Sequence, residues 1–411
     1  MADGITRIAV EGFKSISKKQ SIDIAPLTIL AGANSSGKSS IMQPLLMLKQ
    51  TLDATYDPGP LKIDGPNVRF TSMDQFLSRI EAEAQNKLLS LEIGIGRNDF
   101  CVTFSKTSTS AVEIVEEGFR EDGRSILIRP KMSSEEIQSL VRFGGRGTFE
   151  IERYRFFLYA SDQGSPPTTF PGMHWIEPFL RGIIHVHGLR GSSTRTYPIA
   201  AVGDSFPGTF DYYVASVVAR WQSANAAEAL ALDADLGHID LARRVVARRL
   251  NDAEIDLLVS RLRGIGADDL VSVADVGLGI SHILPVLVAL RAAAQGHLVY
   301  VEQPEIHLHP RAQVKLADIL ADAPKRGVRV VAETHSSLLL RAVQTLVAKG
   351  ELAPDLVRLH WFSRDQAGIT QVRSVVPDEN GAFGDWPEDF GDVELQSEKD
   401  YLDAVESKLA G

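Results

Sequence analysis

Cysteine is nearly absent: Cys101 is the one thiol in 411 residues, which excludes an internal disulfide framework and fits a reducing compartment. Long apolar runs are missing too, with no stretch of about 18 residues suited to crossing a bilayer. The opening Met1-Ala2-Asp3-Gly4-Ile5 lacks the basic and apolar regions of a signal peptide, so the expected location is the cytoplasm, without a membrane partner. Positive charge is in deficit. The 43 Lys and Arg stand against 53 Asp and Glu, and a net charge of −10 excludes a chain coated throughout for phosphate backbones. Internal repeats and long low-complexity tracts are lacking, which sets aside repeat architectures. What remains is a globular composition, 44% hydrophobic and 23% charged, with length for two or three structural units.

The first fifty residues read as strand, loop, strand, glycine-rich turn and helix, with apolar runs at 8–10 and 27–30 and a helical apolar face at Met42, Leu45, Leu46 and Leu48 that ends near Asp53. Residues 61–190 alternate short apolar segments with turn residues, for example 89–95, 101–104 and 125–128, and read as mainly β. Residues 209–265 are rich in alanine, arginine and leucine, and the stretch 242–250 predicts a helix with a basic face. From about 270 helix and strand alternate: helices over 281–294, 311–322 and 337–348, strands over 298–301, 329–332 and 356–362. Such alternation predicts a largely parallel sheet flanked by helices. The expected organisation is an α/β domain discontinuous over 1–60 and 266–375, a β-rich part over 61–190, a helical insertion over 191–265, and an acidic, partly mobile tail over 376–411.

The strongest signal is Gly32-Ala33-Asn34-Ser35-Ser36-Gly37-Lys38-Ser39, followed by Ser40, which fits G-x-x-x-x-G-K-[ST] between an expected strand and an expected helix. Its glycines let backbone N–H groups curl round phosphates, Lys38 reaches the β- and γ-phosphates, and Ser39 is suited to Mg2+. ATP with Mg2+ is the expected ligand. A phosphate cradle needs a metal-holding acid at a neighbouring strand end, and Val299-Tyr300-Val301-Glu302-Gln303-Pro304-Glu305 offers Glu302. Gly277-Leu278-Gly279-Ile280-Ser281 opens a helix as a second anion site, and Glu333-Thr334-His335-Ser336 sets a histidine at a strand end. His335 reads equally as part of a helix start capped by Ser336. His307 and His309 have alternate spacing, but only Glu305 lies near to complete a metal set.

In this order the motifs resemble ABC-type ATPase heads of the RecF/SMC and overcoming-lysogenization-defect (OLD) group. They are similar in particular to small bacterial AAA-type ATPases with EQPE-hLHP and ETHS motifs, several of them in antiphage defence operons including Septu-like systems. The resemblance covers Gly12-Phe13-Lys14-Ser15-Ile16 through Leu48, and about 270–390, including Asp385-Trp386-Pro387-Glu388-Asp389-Phe390; Gly188-Leu189-Arg190, Arg195 and Tyr197 also fit it. It implies an ABC-type P-loop ATPase head in which Lys38 and Ser39 hold phosphate and Mg2+ and Glu302 is the metal-side acid. Gly277, Gly279 and Ser281 would be the signature element facing the other subunit's γ-phosphate, and His335 the switch histidine. A head-to-head homodimer closed by ATP follows, with His307 and His309 near its interface, and a separate nuclease effector as partner.

One departure stands out. The family's water-activating glutamate is replaced by Gln303, which orients a water but takes no proton, so slow turnover is expected, with Glu305 or Glu333 as substitutes. Two functions follow: an ATP hydrolase whose cycle opens and closes a dimer, or a nucleotide-gated scaffold that restrains its effector with little hydrolysis. Arg243, Arg244, Arg248 and Arg249 form a basic face that reads as a solvated surface or as a DNA contact. Gln75 is the candidate for the glutamine that contacts Mg2+ in related heads, and Gln43 reads as helix face.

Overall fold

The computed structural model describes residues 4–79, 88–107, 111–121, 123–140, 148–162, 173–188, 194–260, 269–384 and 392–409. Leu189, Arg190 and the segment 385–390, all part of the resemblance above, lie outside them. The chain begins with β1 (Ile5–Glu11), β2 (Gln20–Asp23), β3 (Leu27–Gly32) and α1 (Lys38–Leu52), then β4 (Leu88–Ile95), β5 (Asn98–Lys106), β6 (Val112–Glu121), β7 (Arg124–Ile128) and α2 (Ser134–Leu140). The middle continues through β8 (Phe149–Tyr154), β9 (Phe157–Asp162), α3 (Met173–Arg181), β10 (Ile183–Val186), β11 (Tyr197–Pro198), α4 (Val214–Ser223), α5 (Ala227–His238), β12 (Arg244–Arg249), β13 (Glu254–Ser260) and β14 (Leu270–Ser272). Then come α6 (Leu278–Ala292), β15 (Leu298–Glu302), α7 (Pro310–Asp322), β16 (Arg329–Glu333), α8 (Ser337–Ala348), β17 (Val357–Arg364), β18 (Thr370–Val375) and α9 (Asp392–Leu409).

A six-stranded sheet in the order β10-β15-β16-β3-β17-β18 forms the centre, parallel except for β18. Because it is covered on both faces, its inner strands read as continuous apolar runs, and every residue of β3 is buried. The side-chain period of two divides them between two cores. Leu27, Ile29, Val299, Val301, Val330 and Ala332 point into the core built with α4 to α8, and Leu30, Leu298, Tyr300 and Val331 point into the other. That second core is closed by α1, α3 and an antiparallel sheet, β2-β1-β4-β5-β6-β7. Helix α1 touches β1 and β3 and is buried on nearly every side, which explains its lack of a polar face. Among the described residues no helix is long and apolar enough to cross a membrane.

The elements expected from 270 to 364 are present with shifts of a few residues at their ends. Three readings change. The basic stretch 242–250 is not a helix: Arg244–Arg249 form β12, paired antiparallel with β13. The pair Val245-Val246 suits a half-buried pleated surface, and Arg244, Arg248 and Arg249 are exposed at its two ends. Only Val214–Ser223 and Ala227–His238 of the supposed helical insertion are α-helical, and β13 and β14 follow. Strand β10, from the β-rich middle, completes the parallel sheet, whereas β1 and β2 join the antiparallel one. Residues 392–409 of the acidic tail form α9.

Candidate functional site

The C-terminal ends of β10, β15, β16 and β3 lie side by side, the edge at which parallel sheets receive ligands. Here β3 passes into the glycine-rich loop. Gly32 has φ +141°, and a Cβ on it would meet the Phe362 carbonyl oxygen at 2.2 Å; Gly37 has φ +109°, and its Cβ would meet Thr370 Oγ1 at 2.5 Å. Glycine is therefore required at both positions. Thr370 Oγ1 lies 2.8 Å from both Ser15 Oγ and the Ser36 carbonyl oxygen and pins the loop from beneath. Asn34 and Ser35 are exposed at its crest, Ser35 with φ +61°, while Ser36 Oγ is buried without a hydrogen-bond partner among the described residues. Lys38 Nζ donates to the carbonyls of Gly32 (3.0 Å) and Ala33 (2.8 Å), and burial draws its pKa down against the pull of Glu333 and Glu305. Ser40 is buried in the first turn of α1.

The acids divide in an unexpected way. Ser39 Oγ donates to Glu333 Oε1 at 3.0 Å, and Tyr300 OH donates to Glu333 Oε2 at 2.9 Å. Burial raises the Glu333 pKa, and the Glu302 carboxylate adds to the rise. Glu302 instead meets His185 Nε2 at 3.1 Å through Oε1 and accepts the Gly188 N–H at 3.1 Å through Oε2. Burial alone would raise its pKa, but the His185 and Gly188 hydrogen bonds hold it below the usual value. Glu305 Oε1 accepts from Thr334 Oγ1 (2.7 Å) and from the His335 N–H (3.0 Å), so this carboxylate clamps the turn after β16. Gln303 has φ +45°, and its N–H donates to the Glu333 carbonyl at 2.7 Å. His335 is half-buried beside Lys38, its pKa lowered first by burial and then by that cation. Ser336 caps α8 by accepting from Leu339 N at 3.0 Å.

Gly277, Gly279 and Ser281 stand at the exposed start of α6, where Ser281 Oγ donates to the Leu278 carbonyl and Arg195 forms a two-pronged pair with Asp275. His307 (φ +63°) lays its ring edge-on against His282 at 4.7 Å, and His309 caps α7 by accepting from Arg311 N. Arg248 pairs with Asp256 and Arg249 with Asp252, while Arg243 and Arg244 are exposed. Gln75 bonds within its own turn, to Thr71, and Gln43 accepts from Lys14. The sequence reasoning missed Tyr300, His185, Asn67 and Thr370. The first two carried a signal, each being a polar ring within an otherwise aliphatic strand.

His185 is fully buried, stacks on Tyr300 at 5.1 Å, and has its pKa pushed down to about 4, chiefly by burial. The ring is therefore neutral near pH 7 with its proton on Nε2, toward Glu302. Its Nδ1 lies 3.3 Å from Asn67 Oδ1; with the Nε2 proton given to Glu302, the Asn67 amide has to turn over to offer its nitrogen to Nδ1. Since the unfolded ring protonates near its ordinary 6.5, the unfolded state binds more protons below that pH, and stability falls as pH drops from about 6.5 toward 4. At pH 5 the loss traceable to this ring is about 2 kcal/mol. Denaturant melts at pH 7.5 and pH 5 should show His185→Gln losing less stability over that interval than the parent chain.

Comparison with solved structures turns this geometry into a fold. The chain superposes on a structure described as the SmcHead bound to the C-winged helix domain of ScpA with TM-score 0.51 and 12% identity, over 91% of this chain and 98% of that one. This is the fold of an ABC-type P-loop ATPase head. An SMC head domain from Thermotoga maritima (TM-score 0.42, 12% identity, 90% and 99% covered) and an Smc head with an extended coiled coil bound to the C-terminal domain of ScpA from Pyrococcus furiosus (0.48, 11%, 98% and 100%) are further neighbours. Residues 4–128 match a family model described as "AAA ATPase domain", and residues 189–341 match one described as "AAA domain, putative AbiEii toxin, Type IV TA system". No curated protein matches the chain. The first matched segment of the head holds the phosphate loop, and the second holds the start of α6, Glu302, Gln303, Glu305, Glu333 and His335.

Proposed function

We propose that the chain binds Mg-ATP at the edge formed by β3, β15 and β16 and hydrolyses it slowly, as one head of an ATP-closed homodimer. The observation that carries this reading is the phosphate loop joined to an acid: Lys38 at the start of α1 and Ser39 bonded to Glu333. The residues suit the ligand. Both loop glycines sit where a Cβ would collide, and the Ser36 hydroxyl is a buried orphan within the cradle. Among the described residues no three His, Cys, Asp or Glu side chains gather as a metal cage, and nucleotide-bound Mg2+ needs only one or two protein oxygens beside its phosphates. Ser39 and the carboxylate it touches at the end of β16 are the groups that would hold it. When bound, Mg2+ neutralises charge on the phosphate oxygens. Lys38 trades its two carbonyl partners for phosphate, the loop N–H groups orient the chain of phosphates, and Gln303 orients water without accepting its proton.

The Gly277–Ser281 helix start, exposed at Gly277 and Leu278, has first-turn N–H groups that suit a phosphate carried by a second copy. By the resemblance of its EQPE and ETHS segments, we assign the head to antiphage defence or DNA processing as the regulator of a separate nuclease. Gln303 favours a second reading, a nucleotide-gated scaffold with little turnover. Lys38→Ala tests the shared core of both. Calorimetric titration with Mg-ATP should show binding weakened by roughly 3 kcal/mol, about 100-fold, since a charged hydrogen-bond donor to phosphate is lost. Unchanged affinity would sink both readings.

A further inference from the structure

The strand order puts Glu333 nearer the phosphate loop than Glu302. β16 lies between β3 and β15, so Glu333 pairs with Leu30 of the phosphate-loop strand, and Glu302 pairs with Glu333 one strand further out. At about 4.8 Å per strand, the Glu302 backbone stands about 10 Å from β3, twice as far as that of Glu333. Both acids share the parity of residues that face α1: Glu333 follows Val331 at a spacing of two, and Glu302 follows Tyr300. Glu333 is thus interposed between Glu302 and Ser39. The side chains agree with the backbone, since Glu333 spans Ser39 and Tyr300 while Glu302 bonds through both oxygens to His185 and the Gly188 N–H.

We propose that Glu333 is the carboxylate that holds the nucleotide's divalent cation together with Ser39, and that the His185–Gly188 pair keeps Glu302 out of that position. The inference rests on the nucleotide-binding reading above and deepens it. Tyr300 acts as a positioning residue: its hydroxyl holds the far oxygen of Glu333 and so fixes which oxygen faces Ser39. Glu305, bonded to Thr334 and the His335 N–H, supports the turn that follows Glu333.

The test is Mn2+ binding in the presence of the slowly hydrolysed analogue ATPγS, followed by electron paramagnetic resonance, with affinity for the analogue in EDTA measured alongside. Glu333→Gln should weaken Mn2+ binding by about tenfold or more, the scale of losing one carboxylate at a metal site, and leave the EDTA affinity nearly unchanged. Glu302→Gln should leave Mn2+ binding near that of the parent chain. Glu333→Asp keeps the charge with a shorter reach and should give an intermediate loss, which covers the case that the amide variant folds poorly. A loss confined to Glu302→Gln, or equal in both amide variants, overturns the assignment of Glu333. Absence of ATPγS binding by the parent chain overturns the nucleotide-binding reading itself, and with it this inference.

Discussion

Gln303→Glu should raise steady-state phosphate release from Mg-ATP by about 100-fold, the lower end of what a positioned general base contributes. The substitution changes one atom of an amide and nothing in the chain path. The backbone at 303 already holds φ +45°, and its N–H is fixed to the Glu333 carbonyl at 2.7 Å, so glutamate inherits the same strained seat directly after β15. It gains a group that accepts a proton from water, which glutamine lacks. A phosphate-release assay on the two proteins, each with its Lys38→Ala control, measures the difference. No rise above the parent rate would place the slow step outside proton removal, in opening of the proposed dimer or in product release.

Asp53→Ala should be strongly destabilising although it lies away from the nucleotide edge. Lys49 is 0% exposed in the last turn of α1, and its Nζ meets Asp53 Oδ2 at 2.7 Å and the Phe206 carbonyl at 3.1 Å. The same carboxylate accepts from Gly208 N at 3.2 Å and lies 3.7 Å from Arg181. Burial lowers the Lys49 pKa, and Asp53 opposes that shift. Removing Asp53 strands an ammonium in the core at a cost of about 3–5 kcal/mol, whereas pairing the change with Lys49→Met removes the stranded charge and should recover most of it. Denaturant titrations of the single and double variants read the two values directly. A double variant as weak as Asp53→Ala would mean that the Gly208 and Phe206 contacts, and not the charge, set the cost.

What the sequence disclosed about the site follows from locality. The phosphate loop, the strand ending in Glu302 and the turn after Glu333 are each written in fewer than ten consecutive residues, with turn chemistry and apolar runs that permit one reading. The pairing of Ser39 with Glu333 is written in the order β15-β16-β3, which chain order does not determine. The His185–Glu302 contact depends likewise on β10 joining the parallel sheet from a region that reads only as mainly β, with no strand pairing written in it. The misread stretch 242–250 shows the converse. Arginine and alanine suit a helix by propensity, but the burial of Val245, at 1% exposure, comes from packing under α4, a tertiary cause that outweighs propensity.

The position of β3 also constrains the order in which the molecule can be made. It emerges early yet lies between β16 and β17, and its loop is seated on Thr370. At about 5–20 residues per second, a ribosome needs roughly 15–60 s after Gly32 to deliver β16. Throughout that interval the most apolar strand of the N-terminal segment has neither lateral neighbour. Any product ending before residue 370 lacks the seat of its phosphate loop, however complete its opening motif.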